Sequence, residues 1–186
     1  MTIVLYVLLA VVVLIPLYAI ILYNRLVTSR NMVEEGWSGI EVQLKRRANL
    51  IPNLVETVKG YAAHEKGVLE EVTRARAAAT SATGIDAAGK AENVLTSALR
   101  QLFAVAEAYP DLKADENFQQ LQSQLAEVED DIQKSRRYYN GAVRRLNTMI
   151  ELFPSNIVAA QFRFQQADYF EIEDPASREV PTVDFG

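Results

Sequence analysis

The chain has no cysteine and a single histidine, His64, among its 186 residues. Without cysteine there is no disulfide framework. The composition suits a reducing compartment, although a helical periplasmic domain can also do without thiols. With one histidine the helical zinc-protease pattern is excluded: it needs two at i and i+4, and the position four beyond His64 is Val68. No glycine-rich phosphate loop is present, so a phospho-accepting His64 would need a partner kinase or ATP-binding domain. Beside Glu65, His64 reads as a polar residue near a helix surface, and no catalytic, cofactor-binding or metal residue is assigned.

Basic excess is also missing. Lys and Arg number 19 against 24 Asp and Glu, a net charge of −5, which argues against a nucleic-acid binder. Eight glycines and six prolines are few, and strand signals are scarce. Ala, Leu, Glu, Gln and Arg dominate, all good helix formers, so the expectation is an all-α protein.

What the chain does have is a charge-free run. Ile3 to Tyr23 is twenty-one residues without Asp, Glu, Lys or Arg. At about 1.5 Å per residue it spans roughly 30 Å, the thickness of a bilayer's hydrocarbon core. It is too long for a cleaved signal and lacks a basic n-region and a small-residue cleavage site, so it reads as an uncleaved anchor in contact with membrane lipids. Tyr6, Tyr18 and Tyr23 lie towards its ends, where rings prefer the headgroup zone. Pro16 lies inside it, a position membrane helices tolerate. Arg25, Arg30 and Lys45-Arg46-Arg47 follow the run and no basic side chain precedes it. This bias places the N-terminus outside and the remainder in the cytoplasm.

Three regions are expected: an anchor over 1–25, a bundle of long helices with coiled-coil-like packing over 26–168, and an extended tail over 169–186. The strongest periodicity lies between Asp115 and Phe153. Phe118, Leu125, Ile132, Tyr139, Leu146 and Phe153 recur every seven residues, with Leu121, Val128, Ser135, Ala142 and Met149 as the second row. Asp115 is placed to cap this helix. An earlier stripe runs from Ile51 to Ala75 at spacings of three and four, with Glu65 as a notch in it. Pro52 either bends a helix continuing from the anchor or sits in the first turn of a new one; the former is expected, because no turn cluster precedes it. Thr80 to Gly89 reads as a loop. Lys90 to Ala108 reads as a shorter helix with Val94, Leu95, Leu99 and Leu102 inward, and Ser155 as the cap of a helix running to about Gln165.

Lys45-Arg46-Arg47, Lys134-Ser135-Arg136-Arg137 and Arg144-Arg145 are basic clusters. Glu127, Glu129, Asp130 and Asp131 form an acidic block ahead of the last two. Opposed blocks suit matching between helices or subunits, and this is favoured over lipid binding. On a straight helix Lys45 would stand about 33 Å past the anchor, well beyond a Debye length of about 8 Å. Lys45, Arg46, Arg47, Arg136, Arg137, Tyr139, Asn140, Arg144 and Arg145 are therefore the candidate interface residues. Asn140 and Asn147, seven apart beside the apolar seam, are placed to fix register. Trp37 reads as a packing residue.

Several of these segments together resemble the LemA family of bacterial membrane proteins. The carriers are Val42-Gln43-Leu44-Lys45-Arg46-Arg47, Leu50-Ile51-Pro52-Asn53-Leu54-Val55, and Val58-Lys59-Gly60-Tyr61-Ala62 with His64-Glu65. Further on stand Tyr109-Pro110-Asp111-Leu112-Lys113-Ala114, Tyr139-Asn140, Phe153-Pro154 and Pro181-Thr182-Val183-Asp184-Phe185. Asn49 departs from the aspartate common at that place. The resemblance implies one helix through the inner membrane, a cytoplasmic antiparallel bundle and no established enzymatic activity. Family members are often encoded near membrane metallopeptidases or TPM-domain proteins, which makes such proteins the partner candidates that the resemblance offers. With one anchor, long apolar seams and no coherent catalytic set, the expectation is a self-associating scaffold that docks partner proteins; the alternatives are a membrane-organising or lipid-sensing protein and, behind it, a metal-dependent or phospho-accepting protein using His64.

Overall fold

The computed structural model describes residues 1–171. Among them there is no strand, and the elements are α1 (Thr2–Tyr61), α2 (Lys66–Ser81), α3 (Ile85–Ala106), α4 (Pro110–Ala114), α5 (Glu116–Glu151) and α6 (Ser155–Gln161). Helix α1 runs through Pro16 and Pro52 without interruption for 60 residues. Pro52 is exposed, while Ile51 and Leu54 on either side are fully buried, so packing holds the helix across the missing backbone donor. The start of α1 includes an 18-residue apolar window of which nothing is buried, long enough to cross a membrane.

The chain divides into two compact units. The first comprises Met1–Leu44 and Asp130–Tyr169. In it α1 and the second half of α5 run antiparallel. Ser29 Oγ lies 3.4 Å from Met149 Sδ, and the Trp37 ring meets Tyr139 edge-on at 5.9 Å. They approach tightly at Gly36, where a Cβ would stand 3.1 Å from the backbone Cα of Tyr139. Leu22, Leu26, Val33 and Ile40 on α1 and Ile132, Ala142, Val143 and Leu146 on α5 form the buried seam. Helix α6 ends in a Schellman closure: Phe164 N–H donates to Ala159 O at 2.9 Å and Arg163 N–H to Ala160 O at 3.2 Å. Arg163 takes the left-handed position with φ 56°. That turn sets Phe162 and Phe164 against Tyr23, at 4.7 and 5.9 Å between ring centroids. From Phe164 the chain is irregular and runs back along α5. Asn147 exchanges two 2.9 Å hydrogen bonds with the backbone of Ala167, and Tyr139 donates to Asp168 O at 2.7 Å.

The second unit comprises Lys45–Glu129 with, from the end of the described chain, Phe170 and Glu171. Ile51, Leu54 and Val58 of α1, Leu69 and Val72 of α2, Leu95, Leu99 and Leu102 of α3, Leu112 of α4, and Phe118 and Leu125 of α5 make one apolar cluster. Asp115 caps α5, accepting from Phe118 N–H at 2.8 Å, and Tyr61 donates to its other oxygen at 2.9 Å. Both donors favour the ionised form and hold Asp115 below the usual aspartate range.

Several sequence readings need correction. The stripe from Ile51 to Ala75 is two helices, because the chain turns at Ala62–Glu65. Glu65 lies in that turn and accepts from the Tyr109 hydroxyl at 3.1 Å. Helix α3 starts at Ile85, so the loop is shorter than Thr80 to Gly89. Its Gly84 N-cap adopts φ 87°, which admits glycine and almost nothing else. Val94 is exposed. Ser155 does not cap α6 and instead donates back to Leu152 O, and α6 stops at Gln161 rather than Gln165. Asn147 bonds the returning chain, not its heptad neighbour. The seven-residue seam holds from Phe118 to Leu146 and fails at Phe153, two residues beyond the end of α5 and 78% exposed. Most of the tail expected over 169–186 lies outside the described residues.

Candidate functional site

Among the described residues Arg47 is the basic residue that folding removes from solvent. Alanine and leucine neighbours turn one face of α1 inward, and Arg47 shares it with Ala48, Ile51 and Leu54. Its guanidinium donates through Nη1 to Glu92 Oε2 at 3.1 Å and through Nη2 to Thr96 Oγ1 at 3.1 Å. Glu129 on α5 closes the other side at 3.3 Å. The side chains of Arg47 and Glu92 are 6% and 2% exposed, so this pair is desolvated. Burial pushes the Glu92 carboxyl above its ordinary range. Arg47 pulls it down and Glu129 adds to the rise, but burial is the larger effect.

The remaining candidate interface residues separate from this cluster. Arg46 pairs with Glu127 at 3.2 Å on the surface, and Lys45 is exposed. Arg136 and Asn140 are half-buried, while Arg137, Arg144 and Arg145 are exposed. Tyr139 is fully buried, and burial pushes its hydroxyl up to about 12, helped by nearby Asp168. Ile3 and Pro16 are exposed on the apolar run, and Tyr23 is 37% exposed at its end. His64 is exposed in the turn between α1 and α2. Among the described residues no three His, Asp or Glu side chains converge on a point where a metal ion would fit.

Sequence reasoning missed Glu92 and Thr96. The signal was there for Glu92: it lies between Ala88 and Leu95 on the inward stripe of α3, where a carboxylate demands a cation. Also missed was an open groove of about 600 Å³ between α1 and α2, with Val55, Ala63, Leu69 and Ala77 in its walls and Lys59, Lys66, Glu70 and Arg74 around it. The buried charges can set helix register. The groove and the bare apolar run are surfaces that can bind.

An all-α chain with an exposed N-terminal apolar helix and its polar core spent on internal pairing is a membrane-associated helical protein. The profile of the LemA family matches residues 36–185, and the chain belongs to that family. It is similar to magnetosome protein MamQ 2 of Paramagnetospirillum magneticum, 29% identical over 180 aligned residues that cover 83% of this chain and 66% of that protein. Magnetosome protein MamQ of Magnetospirillum gryphiswaldense is 26% identical over the same coverage. Protein LemA of Metamycoplasma hominis is 26% identical over 166 residues, covering 87% of this chain and 72% of that protein. The chain thus spans just under two thirds of the length of the magnetosome proteins it matches.

Proposed function

We propose that this LemA-family protein is a non-enzymatic, membrane-anchored scaffold whose helices dock partner proteins and further copies of itself. The observation that carries the reading is the groove between α1 and α2. Its walls are chiefly apolar, and three of its four charged residues are cationic, so it suits a partner helix with an apolar ridge flanked by carboxylates. The anchor supports self-association, since an apolar helix with no buried face offers its sides to lipid or to another such helix. Placement of lysine and arginine supports an outer N-terminus and a cytoplasmic bundle at the inner membrane.

The test is photo-crosslinking in intact membranes. A photoreactive side chain placed at Thr73 or Ala77, both exposed in the groove, is compared with one at Ala126, exposed on α5 outside it. Partner adducts identified by mass spectrometry from the groove positions and not from Ala126 are expected. Equal yields from all three positions, with a strict monomer in detergent at every concentration, would overturn the scaffold reading.

A further inference from the structure

At the corner between α5 and α6 the first unit exposes large apolar side chains. Leu152 is 59% exposed, Phe153 78%, Ile157 61% and Phe162 58%. Their position makes them informative. The Phe162 ring lies 4.7 Å from that of Tyr23, the last residue of the charge-free run. Leu22, one residue earlier, is only 6% exposed, so protein already packs on the last turn of the apolar segment. Ile20 and Ile21 beside it are left bare. A tyrosine ending a membrane segment sits at headgroup level, and a ring packed against it shares that depth.

Basic groups surround the corner. Arg25 stands two residues beyond Tyr23, and Arg163 directly follows Phe162; both are exposed. Arg145 and Arg144 are exposed on α5 seven and eight residues before Leu152, about 10–12 Å along the helix axis. Arg30 is engaged over the Phe164 ring at 5.6 Å. The nearby carboxylate of Glu151 is held by Gln166 at 2.8 Å. Apolar side chains at the tip with arginines behind them is the pattern of an element lying in a bilayer interface, with side chains about 5–10 Å into the headgroup–acyl boundary.

We propose that the α5–α6 corner is a second, monotopic membrane contact. Leu152, Phe153, Ile157 and Phe162 enter the interface of the leaflet that α1 leaves, and Arg25, Arg144, Arg145 and Arg163 meet anionic headgroups. The occupant is the bilayer and not a protein, because the patch is built against the end of the membrane segment itself. The inference rests on α1 crossing the bilayer and is independent of any docked partner. Its consequence is two-point attachment: α1 fixes the first unit to the membrane, and the corner fixes its rotation about α1.

The cysteine-free chain makes the test direct. Full-length protein carrying one cysteine, at Phe153→Cys, Ile157→Cys, Val13→Cys or Ser38→Cys, is labelled with an environment-sensitive fluorophore. Each is reconstituted in nanodiscs of phosphatidylcholine and phosphatidylglycerol containing nitroxide lipids. All four positions are exposed, so folding is preserved. Val13 reports the anchor, and Ser38 a site on α1 about 22 Å past Tyr23. Labels at 153 and 157 should be quenched several-fold more than at 38, with that at 13 quenched as well. Quenching at 13 while 153 and 157 match 38 would overturn the corner contact and leave the anchor standing. Failure at 13 too would remove the membrane-crossing reading and the proposal together. Protection at 153 and 157 that appears only at high protein-to-lipid ratio would assign the patch to a second copy and likewise overturn the proposal.

Discussion

Replacing Arg47 with alanine leaves the Glu92 carboxylate, 2% exposed, without its cation. Breaking one side of a buried ion pair costs about 3–5 kcal/mol, because the surviving charge keeps its desolvation penalty. At about 2–4 °C per kcal/mol for a chain of this size, the melting temperature should fall by roughly 6–20 °C. Removing both charges is a different perturbation. Arg47→Met with Glu92→Leu deletes the penalty with the attraction, and such exchanges are commonly neutral or stabilising by about 1–4 kcal/mol. The double variant should therefore be more stable than Arg47→Ala alone. Thermal unfolding of the full chain in detergent, followed by far-ultraviolet circular dichroism, reads all of these.

The same pair gives a pH signature. Burial raises the Glu92 carboxyl in the folded protein above its ordinary value of 4.5. The folded state therefore holds that proton to higher pH than the unfolded chain does. The stability this contributes is present below pH 4.5 and is lost as pH rises through the folded-state value. Glu92→Gln should flatten this part of the stability profile. A loss below about 1 kcal/mol for Arg47→Ala, additive with that of Glu92→Leu, would show that water reaches the pair and would refute the argument.

Other perturbations test the close contacts. Gly39→Ala, with open space at its Cβ position, should gain up to about 1 kcal/mol of helix stability, whereas Gly36→Leu should lose far more than that by prising α1 from Tyr139. Thermal scans that rank the two in the opposite order would contradict the packing. A Cβ on Gly89 would stand 2.7 Å from the backbone oxygen of Glu171, so Gly89→Ala should speed hydrogen exchange at Phe170 and Glu171 despite improving helix propensity. Tyr139→Phe should cost about 1 kcal/mol for the lost hydrogen bond. Wild-type stability should fall as pH rises from about 10 through about 12, since the raised hydroxyl pKa favours folding only while the proton is held, and the phenylalanine variant should lack that fall. Asn147→Ala should release the amide of Ala167 to exchange and leave those of the α5 interior protected.

The long elements were legible because they rest on periodicity. From Phe118 to Leu146 every seventh residue is buried, and no competing turn signal interrupts α5. What failed were the boundaries. The stripe from Ile51 to Ala75 keeps its spacing through the turn at Ala62–Glu65, because residues on both sides of that turn face one core, so periodicity alone cannot reveal it. Partners were harder still. Arg47 was legible as part of a basic cluster, yet its neighbours Lys45 and Arg46 are exposed while it is not. The three differ only by the 100° step of the helix, and one face of α1 happens to meet Glu92. Phe153 is the opposite case. It continues the heptad arithmetic perfectly, but α5 ends at Glu151, so the arithmetic no longer describes a helix face when it reaches Phe153. A seam residue that outlives its helix loses its packing partner and must find another apolar medium. Phe162, on the same corner, lies against Tyr23 where the charge-free run ends, and on the proposed corner contact the medium for both phenylalanine rings is lipid.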